Sequence, residues 1–279
     1  MTFTRQVIAA ARLDLAEVVR SRWLLFCAGA YLLLATVFVL VGLRESTVIG
    51  FTGVGRVLLA LCHALLLVLP LLALTAVGSV IGRAREEGAL ELLFSQPLRR
   101  SAWFVGVSLT RYAVLVVPLV VLMVGLGLYG QLVHHQQVPW GFIARALIIS
   151  ASLLAAFAGI GLWISTTVRN PARVTTYVIL AWAMGVAFLD FGLIGVMLRW
   201  RLDAHAVFTL AALNPVQDAR LALLSGLEPD LATLGPVGFY LVHKVGVDAL
   251  YLLGIVGPAL VGVGSWLAAF ASFRRTDLV

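Results

Sequence analysis

Residues 83–103, RAREEGALELLFSQPLRRSAW, form a polar interval between two long apolar stretches. The stretches, 57–82 and 105–130, are each long enough to cross a bilayer core as a helix, which takes about 20 apolar residues. An apolar–polar–apolar pattern on this scale is typical of two membrane spans joined on one side of the membrane. The rest of the chain follows the same pattern.

The polar interval itself predicts a short surface helix. Its acidic pair, Glu86 and Glu87, precedes the helix-forming residues 89–93, and acidic groups are favourable near a helix N-terminus. Pro97 ends the helix because its ring removes a backbone donor and clashes with the preceding turn. The residues alone leave two interpretations open. The segment either receives a soluble partner or only joins two spans.

Composition places the chain among membrane proteins. Of its 279 residues, 62% are hydrophobic and 12% are charged, and the mean hydropathy is +1.04. A soluble domain carries about 25% charged residues. Backbone amides in lipid must be paired within helices or a closed barrel, and the long apolar runs lack the alternation of a barrel strand. We therefore expect an all-α polytopic membrane protein.

Six transmembrane helices are predicted within a domain that covers residues 23–279. A cytoplasmic coupling segment, 83–103, and a long outer segment, 199–244, connect some of them. The predicted spans are about 23–43, 57–82, 105–130, 142–168, 174–198 and 247–273.

An amphipathic helix is predicted over residues 1–22. At about 100° per residue, one arc is apolar and the opposite arc is charged. Such a helix lies along the membrane lipids with its apolar face down. The apolar arc holds Val7, Ile8, Ala11, Leu15, Val18 and Val19, and the charged arc holds Arg5, Arg12, Asp14, Glu17 and Arg20.

The basic residues predict the orientation. The net charge is +7, but the arginines lie between the spans and do not form a patch with interleaved aromatics, so a nucleic-acid partner is not expected. Twelve of the twenty Lys and Arg residues fall in segments that this topology places inside, and seven fall outside. By the positive-inside rule we expect both termini on the cytoplasmic side. The protein itself is expected in the inner membrane. The remaining one, Arg111, lies within a span, and we expect it to extend toward the headgroups.

The outer segment contains its own helix signal. Asn214 followed by Pro215 is a favourable start, with Asn as cap and Pro at the first helical position. Gly226 is a typical terminator. Asp218 and Arg220 predict a position outside the hydrocarbon, because charged groups are costly in lipid. The helix is expected to bind a partner or act as a gate, or else only to shield the bundle.

Catalytic motifs are absent from the sequence. It has no GxxxxGK[ST], HExxH, GxSxG or CxxC pattern, so the chain is not expected to hydrolyse ATP itself. Its two cysteines, Cys27 and Cys62, lie in apolar spans, and no cofactor or metal site is predicted. Any energy must come from a separate subunit.

The run REEGALELLFSQPLRR, 85–100, resembles the segment after the second span in permeases of the ABC-2 transporter family. The resemblance implies a homodimer and a coupling helix that docks on an ATP-binding cassette subunit. The positions that it assigns to this coupling are Glu86, Glu87, Gly88, Glu91, Leu92 and Pro97.

The run LNPVQDARL, 213–221, is similar to a segment in ABC-2 permeases of the nitrous oxide reductase maturation system. That similarity implies a periplasmic partner protein and a copper chaperone, and it assigns the outer site to Asn214, Pro215, Asp218 and Arg220. An exporter of a lipid, drug or peptide is a second interpretation. A membrane scaffold or sensor without a transport path is a third.

Overall fold

A computed structural model describes residues 2–45, 53–133, 135, 137–188, 212–227 and 246–275, and every regular element within these ranges is helical. The all-α prediction is confirmed for this part of the chain. The helices are α1 (Phe3–Arg20), α2 (Trp23–Glu45), α3 (Gly53–Gly78), α4 (Val80–Glu86), α5 (Ala89–Phe94), α6 (Arg100–Leu132), α7 (Trp140–Thr167), α8 (Pro171–Ala183), α9 (Pro215–Leu227) and α10 (Val247–Arg275).

Four helical stretches in the described residues are long and apolar enough to cross a membrane, namely Ala60–Glu86, Arg100–Leu132, Trp140–Thr167 and Val247–Arg275. A fifth results if α1 and the first part of α2, which meet at 62°, are counted as one bent span. The predicted number of six stays a prediction, because the expected span 174–198 continues past Phe188 into residues outside the described ranges.

Helix α7 lies at the centre of the bundle and packs against α10, α3, α6 and α9. Its contact with α10 is made through glycine. A Cβ placed on Gly262 of α10 would lie 2.7 Å from the carbonyl oxygen of Ala155, and a Cβ on Gly159 would collide with the Gly262 carbonyl oxygen. Small residues let helix backbones approach closely in lipid, where packing drives association. Gly159 and Gly262 therefore lie on the faces through which α7 and α10 pack.

Helix α1 covers the stretch that the sequence predicts to be helical, but its buried face differs from the expected one. The buried side chains form a stripe at four-residue spacing, Gln6, Ala10, Asp14 and Val18, which packs on α6. Ile8, Leu15 and Val19 are exposed. The prediction that placed Asp14 on the outward charged face was wrong, because a counter-ion on α6 stabilises the carboxylate inside the protein.

Segment 83–103 contains a break that only glycine accommodates well. Helix α4 ends at Glu86, and Gly88 adopts φ +68° before α5 begins at Ala89. Pro97 lies in the turn after α5, and α6 begins at Arg100. The predicted surface helix is thus present as six residues, set at an angle by Gly88.

We expect Gly88→Ala to destabilise the fold by about 1–2 kcal/mol, because an L side chain in the left-handed region meets the following carbonyl oxygen. Gly82→Ala is the matched control. Gly82 lies inside α4, and a Cβ placed on it would meet no other part of the described chain within 4 Å. Replacing it should stabilise the helix by about 0.5–1 kcal/mol. Melting of the purified variants would show shifts of opposite sign. Equal shifts would contradict the role given to Gly88.

Candidate functional site

Helix α5 has one exposed and one anchored face. Leu92 of this six-residue helix is 70% exposed. Leu90, two positions earlier, is buried, with 1% of its surface exposed. The predicted acidic residues Glu86, Glu87 and Glu91 are all exposed. The segment therefore presents Leu92 as an exposed apolar tip, with three exposed carboxylates in the same stretch of the chain.

Aromatic rings connect the anchored face of α5 to two long helices. Phe94 of α5 meets Trp103 of α6 edge to face, with ring centroids 6.1 Å apart. Trp103 stacks on Phe273 of α10 at 5.5 Å, and Phe104 continues the cluster with Phe273 at 5.3 Å. Aromatic pairs in these geometries add about 0.5–1.5 kcal/mol each to their burial energy. The short helix is thus held firmly to α6 and α10.

Helix α1 also contacts segment 83–103. Gln6 Nε2 donates a 2.8 Å hydrogen bond to the carbonyl oxygen of Pro97. Further along, Thr110 Oγ1 of α6 donates to the carbonyl oxygen of Ala11 at 3.2 Å. Pro97, assigned to coupling on the sequence, is therefore a point where α1 meets the turn between α5 and α6.

A buried ion pair joins α1 to α6. Arg111 Nε lies 3.0 Å from Asp14 Oδ2, and Arg111 Nη2 lies 2.7 Å from Asp14 Oδ1. Arg111 is 8% exposed and Asp14 is 4% exposed, while Glu17 approaches the guanidinium at 3.4 Å from the surface. Burial raises the pKa of Asp14, and the hydrogen bonds and charge of Arg111 oppose that rise. The expected extension of Arg111 toward the headgroups was wrong, since it turns to this carboxylate.

A cavity of about 200 Å³ lies beside the ion pair. Residues of α1, α3, α4, α5 and α6 form its walls, so it reaches from the ion pair to segment 83–103. Its charged lining consists of Asp14, Glu17, Arg83, Glu87 and Arg111. Glu87, predicted from the sequence as a coupling residue, is thus a wall of the same cavity as the ion pair.

Arg85, at the end of α4, has a buried guanidinium group without hydrogen bonds in the described residues. Its Nε, Nη1 and Nη2 atoms are buried without a hydrogen-bond partner. Burial lowers the pKa of Arg85, and the charge of a second cation, Arg169 in the turn before α8, lowers it further. Buried charges are usually paired, because an unpaired one is costly. These two arginines leave a positive site without an anion among the described residues.

Helix α9 has the capped start that the sequence predicts. Asn214 Oδ1 accepts a hydrogen bond from the backbone nitrogen of Val216 at 3.0 Å, and Pro215 is the first helical residue. Asn214 Nδ2 donates to the carbonyl oxygen of Gly185, 2.9 Å away, in the π-helical turn Met184–Phe188 that follows α8. This single side chain fixes the entry to α9 and ties it to the bundle.

The outer site residues face inward to different degrees. Asn214 and Asp218 are each 1% exposed, whereas Arg220 is partly buried and contacts Gln217. Helix α9 is not one of the candidate spans, and burial raises the pKa of Asp218 to about 7. Asn214 and Asp218 therefore contact the protein's own helices and do not offer their side chains to a partner in this arrangement.

The two sites lie at opposite ends of α7. Ser165 Oγ accepts a hydrogen bond from the backbone nitrogen of Ile81 on α4, and Arg145 lies near Gly226 of α9. Twenty residues of helix separate Ser165 from Arg145, which is about 30 Å. That distance equals the thickness of a bilayer core.

The family model for "ABC-2 family transporter protein" matches residues 8–278. The chain belongs to the ABC-2 transporter family. Among curated proteins, it is 27% identical over 278 residues to a probable ABC transporter permease protein NosY of Stutzerimonas stutzeri, across 97% of this chain and 98% of that one. It is 26% identical over 288 residues to the NosY of Pseudomonas aeruginosa, across 96% and 98%.

Membership of the family confirms the resemblance seen in the sequence. An ABC-2 permease is a multi-pass membrane subunit of a transporter that works with an ATPase partner. The sequence reasoning missed two parts of this permease, namely the aromatic cluster and the Asp14–Arg111 pair. The signal for the pair was present, because a single Arg within an apolar span requires a counter-ion.

Proposed function

We propose that this ABC-2 permease subunit receives the force of ATP hydrolysis at segment 83–103, from a separate ATPase subunit on the cytoplasmic side. The observation that carries the proposal is the exposed Leu92, 70% accessible, on a helix whose opposite face is buried. Protein interfaces typically have an apolar centre surrounded by a polar rim. Glu86, Glu87 and Glu91 supply that rim.

Side-chain contacts connect α5 and the turn after it to the long helices α6 and α10 and to α1. The ring cluster of Phe94, Trp103 and Phe273 couples α5 to α6 and α10. The hydrogen bond from Gln6 to Pro97 couples the following turn to α1. A displacement of α5 would therefore act on α6, α10 and α1 through direct side-chain contacts.

The charge at Arg85 and Arg169 supports an anionic partner at the same place. Two cations without a described acidic partner repel each other, and an acidic group on the ATPase would offset that repulsion. The docking surface thus combines an apolar tip, a negative rim and a positive recess. A complementary ATPase surface would carry an apolar pocket for Leu92, basic residues around it, and an acidic group for the recess at Arg85 and Arg169.

We further propose that the transporter serves copper-site maturation of nitrous oxide reductase, with the chain as a homodimer in the inner membrane and both termini cytoplasmic. The support is the LNPVQDARL resemblance together with similarity to NosY permeases over nearly the full chain. A periplasmic protein and a copper chaperone would be its partners outside. Of the two active roles expected for α9, burial of Asn214 and Asp218 favours the gate.

We expect Leu92→Asp to weaken binding of the ATPase without changing the fold. Leu92 is exposed in the isolated chain, so the change removes little internal packing. Losing the burial of one leucine in a docking pocket corresponds to about 1.5–3 kcal/mol. Since about 1.4 kcal/mol is a factor of ten, the ATPase should co-purify at least about tenfold less.

Gln96→Asp provides the control, because it adds the same charge to an exposed position in the turn that follows α5. That variant should retain the ATPase and its turnover in proteoliposomes. Full ATPase binding and normal coupling in Leu92→Asp would exclude α5 as the docking site. A loss in both variants would show that charge on the turn, and not the apolar tip, decides binding.

A further inference from the structure

Asp218 is a buried carboxyl group that the proposed coupling does not use. It lies in the first turn and a half of α9 and is 1% exposed. Its Oδ1 atom has no hydrogen-bond partner among the described residues. An ionised carboxylate moved out of water without a partner is strongly disfavoured, and such a group takes up a proton instead.

Two glycines of α10 pack against Asp218. A Cβ on Gly257 would collide with Asp218 Oδ2, and one on Gly254 would lie 2.8 Å from the Asp218 carbonyl oxygen. The same Cβ on Gly254 would collide with the Ala222 side chain of α9. The carboxyl group therefore lies directly against the α10 backbone. A proton needs no further space there, whereas a metal ion needs several oxygen ligands around it.

Charged and titratable groups on the surrounding described helices do not neutralise Asp218. On the described side chains of the helices packed against α9, these groups are Cys62 and His63 of α3, Arg145 of α7, and Asp248, Tyr251, Arg274 and Arg275 of α10, and Arg220 lies on α9 itself. Arg145 lies over the Tyr251 ring at 5.0 Å. Burial is the cause that displaces the titration of Asp218 toward neutral pH, with its pKa at about 7.

We propose that Asp218 is a proton-binding site that holds α9 against α10, and that loss of the proton releases α9. In the neutral form the carboxyl group fits against Gly254 and Gly257 without a charge to solvate. In the ionised form it requires water, which it reaches only when α9 moves away from α10. The site lies at the end of the bundle opposite to segment 83–103, so the outer end responds to pH independently of ATPase docking.

The direction of the effect follows from linkage. The seated helix binds one proton that the released helix, with an ordinary Asp pKa near 4, does not bind. The equilibrium constant for packing α9 against α10 therefore falls by about tenfold for each pH unit between the ordinary and the raised pKa of Asp218. Above the raised pKa it no longer changes. With the pKa of Asp218 at about 7, the effect ends near neutrality.

Hydrogen exchange of α9 tests the proposal in the full chain, in nanodiscs, between about pH 5 and about pH 7. After correction for the intrinsic exchange rate, protection of peptide 215–227 should fall by roughly tenfold for each pH unit. Asp218→Asn, which is neutral throughout, should keep one level of protection across the range. Asp248→Asn, at an exposed position, should behave as the unchanged protein does.

A second readout detects the proton itself. Infrared spectra of the full chain should contain the carbonyl stretch of a protonated carboxylic acid, which titrates near neutrality and disappears in Asp218→Asn. This measurement and the pH series on the unchanged protein stand even if that variant folds poorly. Constant protection of α9 in the unchanged protein would overturn the proposal. So would the absence of a protonated carboxyl band at about pH 5.

Discussion

Replacing Arg111 with leucine is expected to destabilise the protein by about 3–5 kcal/mol, because it leaves the Asp14 carboxylate buried without its partner. The two groups are joined by three contacts between 2.7 and 3.1 Å and are both almost fully buried. Helix α1 should detach from α6 and become sensitive to protease. Melting of the purified chain and cleavage within residues 3–20 would measure the change.

The double variant Asp14→Leu with Arg111→Leu separates the charge from the packing. A buried ion pair replaced by apolar residues of similar size is commonly as stable as the original pair. The double variant should therefore recover most of the stability that Arg111→Leu loses, and α1 should stay attached. If both variants were equally unstable, the pair would not be the main link between α1 and α6.

Replacing Gly262 with valine is expected to cost about 3 kcal/mol or more, since the added atoms meet backbone and not a flexible side chain. The Cβ alone would lie 2.7 Å from the carbonyl carbon of Ala155 and 2.9 Å from the backbone nitrogen of Ala156. Helices α7 and α10 would have to separate along their contact. Loss of monodisperse protein in detergent, together with a lower melting temperature, would report this separation.

Gly264→Val is the matched control on the same helix. Gly264 is exposed, and a Cβ placed on it would have open space within 4 Å. The substitution adds the same side chain two residues away and should leave the melting temperature nearly unchanged. Similar losses in both variants would point to a helix-propensity effect and would contradict a close contact at Gly262.

The sequence was a good guide where one local rule decides the structure. Asn214 and Pro215 predicted the start of α9, and the structure shows the expected cap bond to Val216. Apolar stretches of membrane length predicted the positions of the long helices. These features depend on neighbours within a few residues, so a single sequence contains them.

The sequence was a poor guide where distant residues decide the structure. Asp14 was placed outward because charged residues usually face water, yet Arg111, almost a hundred positions later, holds it inside. The ring cluster likewise joins Phe94 to Phe273. Glu87 and Leu92 were chosen on a family resemblance, and the structure adds their exposure but not their partner. Coupling at these positions stays a proposal.

The separation between Asp14 and Arg111 also bears on how the chain is made. They are 97 residues apart, so α1 leaves the ribosome long before its counter-ion does. At about 5–20 residues per second, synthesis of the intervening chain takes roughly 5–20 seconds. During that interval the nascent helix has an unpaired carboxylate on its inner stripe and apolar side chains on the other face, which keep it at the membrane surface. Helix α1 can pack against α6 only after the apolar stretch 105–130, which contains Arg111, has been made.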